Sequence, residues 1–225
     1  PPRLLSENKT RSKIASGMSR ELDDFKKNLR RERLKIGSIV MNCNPFTLGH
    51  AHLIKTAAAQ VDMLYIFVVE EDRSEFPFAE RFELVRQSVK DIPNVKVLRS
   101  GKFIISQLTF EGYFNKSKLQ DTVVDSSLDV EIFAEEIAPE LGINIRFAGE
   151  EPLDAVTKQY NDTMRRILPE HGIEFREIPR LTVDGKLISA SEVRRLLKEH
   201  DFAAIEKMVP LTTFAYLMKR HLEHQ

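Results

Sequence analysis

The segment Thr47-Leu48-Gly49-His50 places a hydroxyl, a glycine and an imidazole at the expected start of a helix, directly after a short apolar stretch. The first turn of a helix offers unpaired N–H groups and positive potential, and both favour phosphate. Gly49 permits close approach of a nucleotide, and Thr47 and His50 can donate to phosphate oxygens as pyrophosphate leaves. The segment therefore predicts a phosphate site. It does not fix the protonation of His50, because the helix dipole disfavours imidazolium whereas bound phosphate favours it.

A second candidate phosphate element lies late in the chain, where Ser189 or Ser191 begins a helix and Arg194 follows one turn later. Helix capping alone explains the serines, so Arg194 decides in favour of phosphate binding. Two such helix starts predict nucleotidyl transfer, with His50, Thr47 and Arg194 as the catalytic residues. The predicted nucleotide-binding residues are Asn42, Asn44, Pro45, Phe46, Gly49, Gly149, Glu150, Lys186, Ile188, Ser189 and Ser191.

Several further residues carry two interpretations each. Arg81 either points at phosphate or forms an ion pair on its helix face. Cys43 is either a nucleophile or a spectator thiol, and the spectator is favoured because its local sequence holds no base. Ser106, Phe110, Tyr113 and Phe114 either line an acceptor pocket or belong to the core. No metal site is predicted, since His50 and His52 lie two apart on a helix and point in different directions.

The surrounding sequence alternates short apolar segments with helical patterns, which favours an α/β fold with a mostly parallel sheet and helices on both faces. We predict strands at residues 35–41, 63–69, 95–98, 144–148 and 174–178. Helices are predicted after His50 to about residue 60 and at about 77–90, 128–141, 191–198, 202–208 and 213–223. The ligand edge of such a sheet is the carboxyl end of its strands, where Asn42 to His50 and Gly149-Glu150 both lie.

The chain divides by composition into a tail at residues 1–35 and a nucleotidyltransferase domain at residues 36–225, with an insertion at about 103–141. The tail carries 11 Lys or Arg residues against 5 Asp or Glu residues, although the whole chain has 34 of each kind. Within the tail, residues 1–17 are predicted as linker and 19–33 as a helix with a thin apolar stripe. The balanced net charge gives no argument for a nucleic-acid or membrane partner.

The expected location is the cytoplasm. The sequence has no apolar run of about 18 residues that could span a bilayer and no secretory signal. Its single cysteine, Cys43, excludes an internal disulfide. The chain begins with Pro1 rather than Met, which leaves room for a preceding domain.

At its early and late elements the chain resembles the TxGH/HxGH nucleotidyltransferase superfamily. Over nearly all of residues 36–217 it resembles the citrate lyase ligases, most specifically in the block from Gly37 to His50. Shorter segments that share this resemblance are 103–106, 129–133, 137–139, 159–161 and 188–191. The resemblance implies a Rossmann-like (HUP-type) fold, with ATP and Mg²⁺ used to form acetyl-adenylate. It also implies that acetate is transferred to the prosthetic-group thiol of the citrate lyase acyl carrier subunit.

Two departures from the family pattern keep other functions open. Cys43 and Glu150 stand where a small residue and a threonine are expected, and at most the last helix of the family's N-terminal acetyltransferase-like domain lies in residues 1–35. One alternative is an adenylyl- or cytidylyltransferase for a phosphopantetheine or a sugar phosphate. The other is a nucleotide-binding module without catalysis. An aminoacyl-tRNA synthetase is disfavoured, because the chain is short and shows no candidate anticodon domain.

Overall fold

A computed structural model describes residues 2–31, 33–70, 73–110 and 125–223. The chain forms two compact units, Pro1–Leu34 and Lys35–Gln225. The first unit contains one helix, α1 (Pro2–Arg31). The prediction of a linker over residues 1–17 is therefore wrong. Proline is compatible with the first position of a helix, and the residues that follow are mostly good helix formers, so Gly17 is a tolerated weak point.

The apolar stripe of α1 is open to solvent, since Met18, Leu22, Phe25 and Leu29 are each more than half exposed. The helix is long but strongly polar. None of the helices in the described part of the chain is long and apolar enough to cross a membrane.

The second unit is built on a parallel sheet of five strands: β1 (Ile36–Met41), β2 (Met63–Val68), β3 (Val95–Arg99), β4 (Ile145–Gly149) and β5 (Glu174–Ile178). All neighbouring pairs are parallel and their order is β3-β2-β1-β4-β5. The predicted α/β class is thus confirmed. The strand order reverses between β1 and β4, and in open α/β sheets a ligand crevice lies beyond the carboxyl ends of the strands at this switch point.

Helices cover both faces of the sheet. They are α2 (Leu48–Ala58), α3 (Phe78–Val89), α4 (Ser127–Ile132), α5 (Ala138–Leu141), α6 (Ala155–Ile167), α7 (Ala190–Lys198), α8 (Phe202–Glu206) and α9 (Leu211–Glu223). A π-helical turn at Phe133–Ile137 joins α4 to α5, so the predicted helix at 128–141 is present with an internal distortion. A 3₁₀ turn at Leu168–His171 follows α6.

The prediction missed α6 and a small hairpin, β6 (Thr182–Val183) and β7 (Lys186–Leu187). On α6 the buried residues recur at helical spacing, but polar residues dominate the segment between them. The hairpin turns at Asp184-Gly185, where both residues have positive φ, at 52° and 74°. Asp-Gly is the dipeptide that such a two-residue turn favours.

The core has one cluster on each face of the sheet and a third among the last helices. Ile39, Ile66 and Leu84 belong to the cluster beside α2 and α3, whereas Phe67 and Met164 belong to that beside α4 and α6. The third cluster joins Ile188 and Val193 to residues of α8 and α9. Burial on both faces explains why the strands read as nearly continuous apolar runs.

Candidate active site

The two predicted phosphate elements meet at the carboxyl edge of the sheet. A Cβ atom added to Gly49 would lie 3.5 Å from the carbonyl oxygen of Ile188, so the start of α2 packs against the residue just before the cap of α7. Ser189 caps α7, and its Oγ accepts from the Glu192 amide at 3.1 Å. The fold therefore places two helix N-termini side by side, although they are about 140 residues apart in sequence.

A capping box fixes the first turn of α2. The Thr47 Oγ1 accepts from the His50 amide at 3.4 Å, and the Thr47 amide donates to His50 Nδ1 at 3.0 Å. The Leu48 amide donates to the carbonyl oxygen of Met208 at 2.9 Å. Among the described residues the Gly49 amide has no acceptor, which leaves it available to a phosphate oxygen.

This capping geometry determines the tautomer of His50. Since Nδ1 accepts from a backbone N–H, the neutral ring carries its proton on Nε2. Burial of the ring, and secondarily the positive charge of Arg180, lower the pKa of His50 to about 4. The Phe46 ring stacks on the imidazole with centroids 5.6 Å apart. At neutral pH His50 is thus a neutral hydrogen-bond donor through Nε2.

The depressed pKa of His50 predicts a pH-dependent stability. In the unfolded chain His50 has its ordinary pKa of 6.5 and is protonated below that pH. In the folded chain its pKa is about 4, so it stays neutral until the pH falls to about 4. This histidine therefore lowers the free energy of unfolding by about 2 kcal/mol at pH 5 and has no effect above pH 7. Urea titrations of wild type and His50→Asn at pH 7 and pH 5 measure this contribution. An equal loss of stability in both proteins would contradict it.

The β1–α2 loop is held from several sides. The Asn44 Oδ1 accepts from the Phe76 amide at 3.1 Å, and the Asn44 carbonyl oxygen accepts from Arg194 Nη1 at 2.5 Å. Arg194 Nη2 also donates to Ser191 Oγ at 3.1 Å, so Arg194 connects α7 with the loop that precedes α2. Phe46 is fully buried, and Pro45 and Ile188 are also buried, so these three residues support the loop from beneath.

A second part of the edge follows β4. The Gly149 carbonyl oxygen accepts from Asn161 Nδ2 at 3.0 Å, and the Glu150 amide donates to the Ile178 carbonyl oxygen at 3.0 Å. A cavity of about 340 Å³ opens here and is lined by Glu150, Glu151, Pro152, Lys158, Pro179, Arg180 and Leu187. Lys186 is exposed on β7. Hydrogen bonding from Arg195 lowers the pKa of Glu192 in the first turn of α7, and the charge of Lys186 adds a smaller effect in the same direction.

Sequence reasoning missed Arg180, the partner of Glu151 in the loop after β4. Arg180 Nη2 and Glu151 Oε2 form an ion pair at 2.7 Å, and the Glu151 side chain is almost completely buried. Arg180 follows β5 by two residues, at the same carboxyl edge as Asn42 and Gly149. The rule that located those two residues would also have located Arg180 once the end of the fifth strand was considered.

Four other candidates take structural positions. The side chain of Arg81 is fully buried and donates to the backbone carbonyl oxygens of Phe76, Asn42 and Val69. Cys43 is buried, and burial raises the pKa of its thiol far above the usual range. Ser106 and Phe110 are buried, and Ser106 Oγ donates to the Lys102 carbonyl oxygen at 2.6 Å. Tyr113 and Phe114 lie outside the described residues.

The described residues contain no cluster of three or more His, Cys, Asp or Glu side chains that could hold a metal ion. The Glu151 carboxylate, which lines the cavity, accepts hydrogen bonds from Arg180 and from the amides of Leu153 and Asp154.

The profile of the citrate lyase ligase C-terminal domain matches residues 36–217. The [citrate [pro-3S]-lyase] ligase of Escherichia coli (strain K12) is 44% identical over 215 residues, which cover 93% of this chain and 60% of that protein. The enzyme of the same name from Klebsiella pneumoniae is 42% identical over 199 residues, covering 85% of this chain and 57% of that protein. The chain thus spans well under two thirds of the length of these relatives.

Among solved structures, Thermotoga maritima TmcAL bound with alpha-thio ATP is similar, with a TM-score of 0.58. The alignment covers 84% of this chain and 56% of that one at 14% sequence identity. At this identity the similarity shows that the two proteins share a fold.

Proposed function

The chain belongs to the citrate lyase ligase family, and on that basis we propose that it is an ATP-dependent ligase that activates acetate as acetyl-adenylate. The acetyl group is then transferred to the prosthetic-group thiol of the acyl carrier subunit of citrate lyase. The observation that carries the proposal is that the starts of α2 and α7 lie side by side. His50, in the first turn of α2, has its Nδ1 occupied by the Thr47 amide, and Arg194 of α7 donates to the loop before α2.

In the proposed first step, the triphosphate lies over the starts of α2 and α7, where the Gly49 amide and the first amides of α7 face it. The cavity lined by Glu150 and Arg180 is of a size to take the adenosine. That the T. maritima protein of the same fold was studied with alpha-thio ATP is consistent with ATP here.

The chemistry requires no covalent protein intermediate. A carboxylate oxygen of acetate attacks the α-phosphorus in line, and the bond to the bridging oxygen of pyrophosphate breaks. His50 Nε2–H and Arg194 stabilise the negative charge that develops on the phosphate oxygens. In the second step the carrier thiolate attacks the acetyl carbonyl carbon, AMP leaves with the electron pair, and the thiol proton passes to solvent.

The proposal includes Mg²⁺ bound by the triphosphate. When bound, Mg²⁺ neutralises charge on the departing pyrophosphate. The residues at the edge fit this arrangement, because they supply cations and amides to the phosphates and leave the metal to the nucleotide oxygens.

The direct test is acetate-dependent exchange of labelled pyrophosphate into ATP. We expect the exchange to require both acetate and Mg²⁺. Propionate or citrate should support it at least about 10-fold less well, because extra atoms in a site that fits acetate cost about this factor or more. Exchange that depends on a phosphopantetheine or a sugar phosphate instead of an acid would establish the transferase alternative. Nucleotide binding without any exchange would establish the non-catalytic one.

A further inference from the structure

Arg81, on the buried face of α3, makes an unusual set of hydrogen bonds. Its side chain is fully buried, and Nε donates to the Phe76 carbonyl oxygen at 2.9 Å. Nη1 lies within hydrogen-bond distance of the carbonyl oxygens of Asn42, at 2.7 Å, and Val69, at 2.9 Å. The same nitrogen also donates to Asn42 Oδ1 at 2.9 Å. These four acceptors are all uncharged.

The positions of these acceptors give Arg81 its importance. Asn42 directly follows β1 and Val69 directly follows β2, so one guanidinium joins the carboxyl ends of two adjacent strands. Asn42 also begins the loop that ends in the Thr47 capping box. Its side-chain amide is fixed further by Ser74 Oγ at 3.1 Å. The guanidinium reaches these oxygens from two nitrogens, Nε and Nη1, whose N–H groups are held in one plane and point in different directions. A lysine ammonium, with all its donors on one nitrogen, cannot reproduce this arrangement.

Phe76 extends this support to the next part of the loop. Its carbonyl oxygen accepts from Arg81, and its amide donates to Asn44 Oδ1 at 3.1 Å. From the opposite side, Arg194 donates to the Asn44 carbonyl oxygen. The β1–α2 loop is thus held between two arginines, one buried beneath it on α3 and one on α7 at the ligand edge.

Arg81 also brings a fixed positive charge close to this loop. Burial raises the pKa of the thiol of Cys43, the residue next to Asn42, and the charge of Arg81 lowers it by a smaller amount.

We propose that Arg81 is a positioning residue for the adenylation reaction, acting through the Asn42–Phe46 loop on the hydrogen-bond geometry of Thr47 and His50. This inference rests on the proposed function, since it assigns Arg81 a role in that reaction without contact to substrate. The proposed effect of Arg81 on the position of the His50 ring does not depend on which acid is activated.

The test uses Arg81→Lys, which keeps the positive charge but cannot form the hydrogen bonds from Nε and Nη1 to Phe76, Asn42 and Val69 at the same time. We expect kcat for pyrophosphate exchange to fall roughly 10- to 100-fold, the effect of a small misplacement of catalytic groups. The matched control is Arg86→Lys on the same helix, where Arg86 is mostly exposed and pairs with Glu83. The control should stay within about 2-fold of wild type.

A second measurement does not depend on turnover. Nitrogen-15 NMR of the histidine rings in the free protein reports whether Nδ1 of His50 is an unprotonated acceptor. In wild type we expect the Nε2–H tautomer alone, and in Arg81→Lys a mixture of tautomers. A lowered melting temperature with kcat and the His50 spectrum both unchanged would show that Arg81 only stabilises the fold, and would overturn the proposal.

Asn42→Ala provides a milder variant if Arg81→Lys does not fold. It removes one acceptor of Arg81 and the contact with Ser74, and should shift kcat and the His50 spectrum in the same direction by a smaller factor. An unchanged His50 spectrum in this variant would also overturn the proposal. If wild type shows no exchange, the proposed function fails, and the NMR comparison alone decides the role of Arg81.

Discussion

Replacing His50 with alanine is expected to lower kcat for acetate-dependent pyrophosphate exchange by about 10²- to 10³-fold, the usual cost of removing one preorganised donor to a developing charge. The donor is preorganised because the Thr47 amide occupies Nδ1 and leaves the proton on Nε2. The measurement is the initial rate of exchange at saturating ATP and acetate. KM for ATP should change much less, since the donor acts chiefly as charge develops.

His52→Ala is the matched control for this prediction, because His52 lies on the same helix, partly exposed, two residues from His50. This variant should keep the exchange rate within about 3-fold of wild type, because residues two apart on a helix point in different directions and His52 therefore faces away from the site. His50→Gln, which can present an amide N–H, should recover part of the loss. Full exchange by His50→Ala would remove His50 from the mechanism.

Arg194→Met is expected to produce the second large loss, with kcat/KM for ATP lowered by about 10²-fold or more, because it removes both a charge and a positioned donor. The Asn44 carbonyl oxygen loses its hydrogen bond to Nη1, and α7 loses its connection to the β1–α2 loop. In this variant kcat should fall and KM for ATP should rise. Arg194 contributes to binding of the triphosphate in the ground state, and it also stabilises the charge that develops on the leaving group.

The neighbouring arginine provides the control for Arg194. Arg195 is on the same helix, about half exposed, and pairs with Glu192 and Glu199. Arg195→Met should therefore leave exchange nearly unchanged. Arg194→Lys keeps the charge but reaches fewer acceptors, so its kcat/KM for ATP should lie between that of Arg194→Met and that of wild type. Similar losses for Arg194→Met and Arg195→Met would indicate a general requirement for positive charge on α7.

The sequence was sufficient to predict the sheet and the two helix starts, because continuous apolar strands and cap residues are local signals. It was also sufficient to expect Gly149 and Asn42 at one edge, since parallel strands share their carboxyl end. Membership of the citrate lyase ligase family, which the sequence resemblance indicated, is confirmed by the match over residues 36–217.

The features that sequence could not provide depend on contacts between distant parts of the chain. The tautomer of His50 follows from a cap that only the folded backbone forms, and the lowered pKa follows from burial together with Arg180. The charge of Arg81 suggested a surface or ligand contact, whereas its acceptors lie on Asn42 and Val69, 39 and 12 residues away. Polar residues that dominate α6 concealed its buried face.

The burial of Cys43 makes the protein a convenient subject for spectroscopy. Cys43 is the only cysteine in the sequence, it is inaccessible, and its thiol stays protonated, so alkylating reagents should leave it unmodified. A cysteine introduced at an exposed position such as Lys186, or Leu153 beside the cavity, would then carry a fluorophore or spin label as the sole modified site. A pair of such labels would report directly whether the hairpin and the loop after β4 approach each other when nucleotide binds.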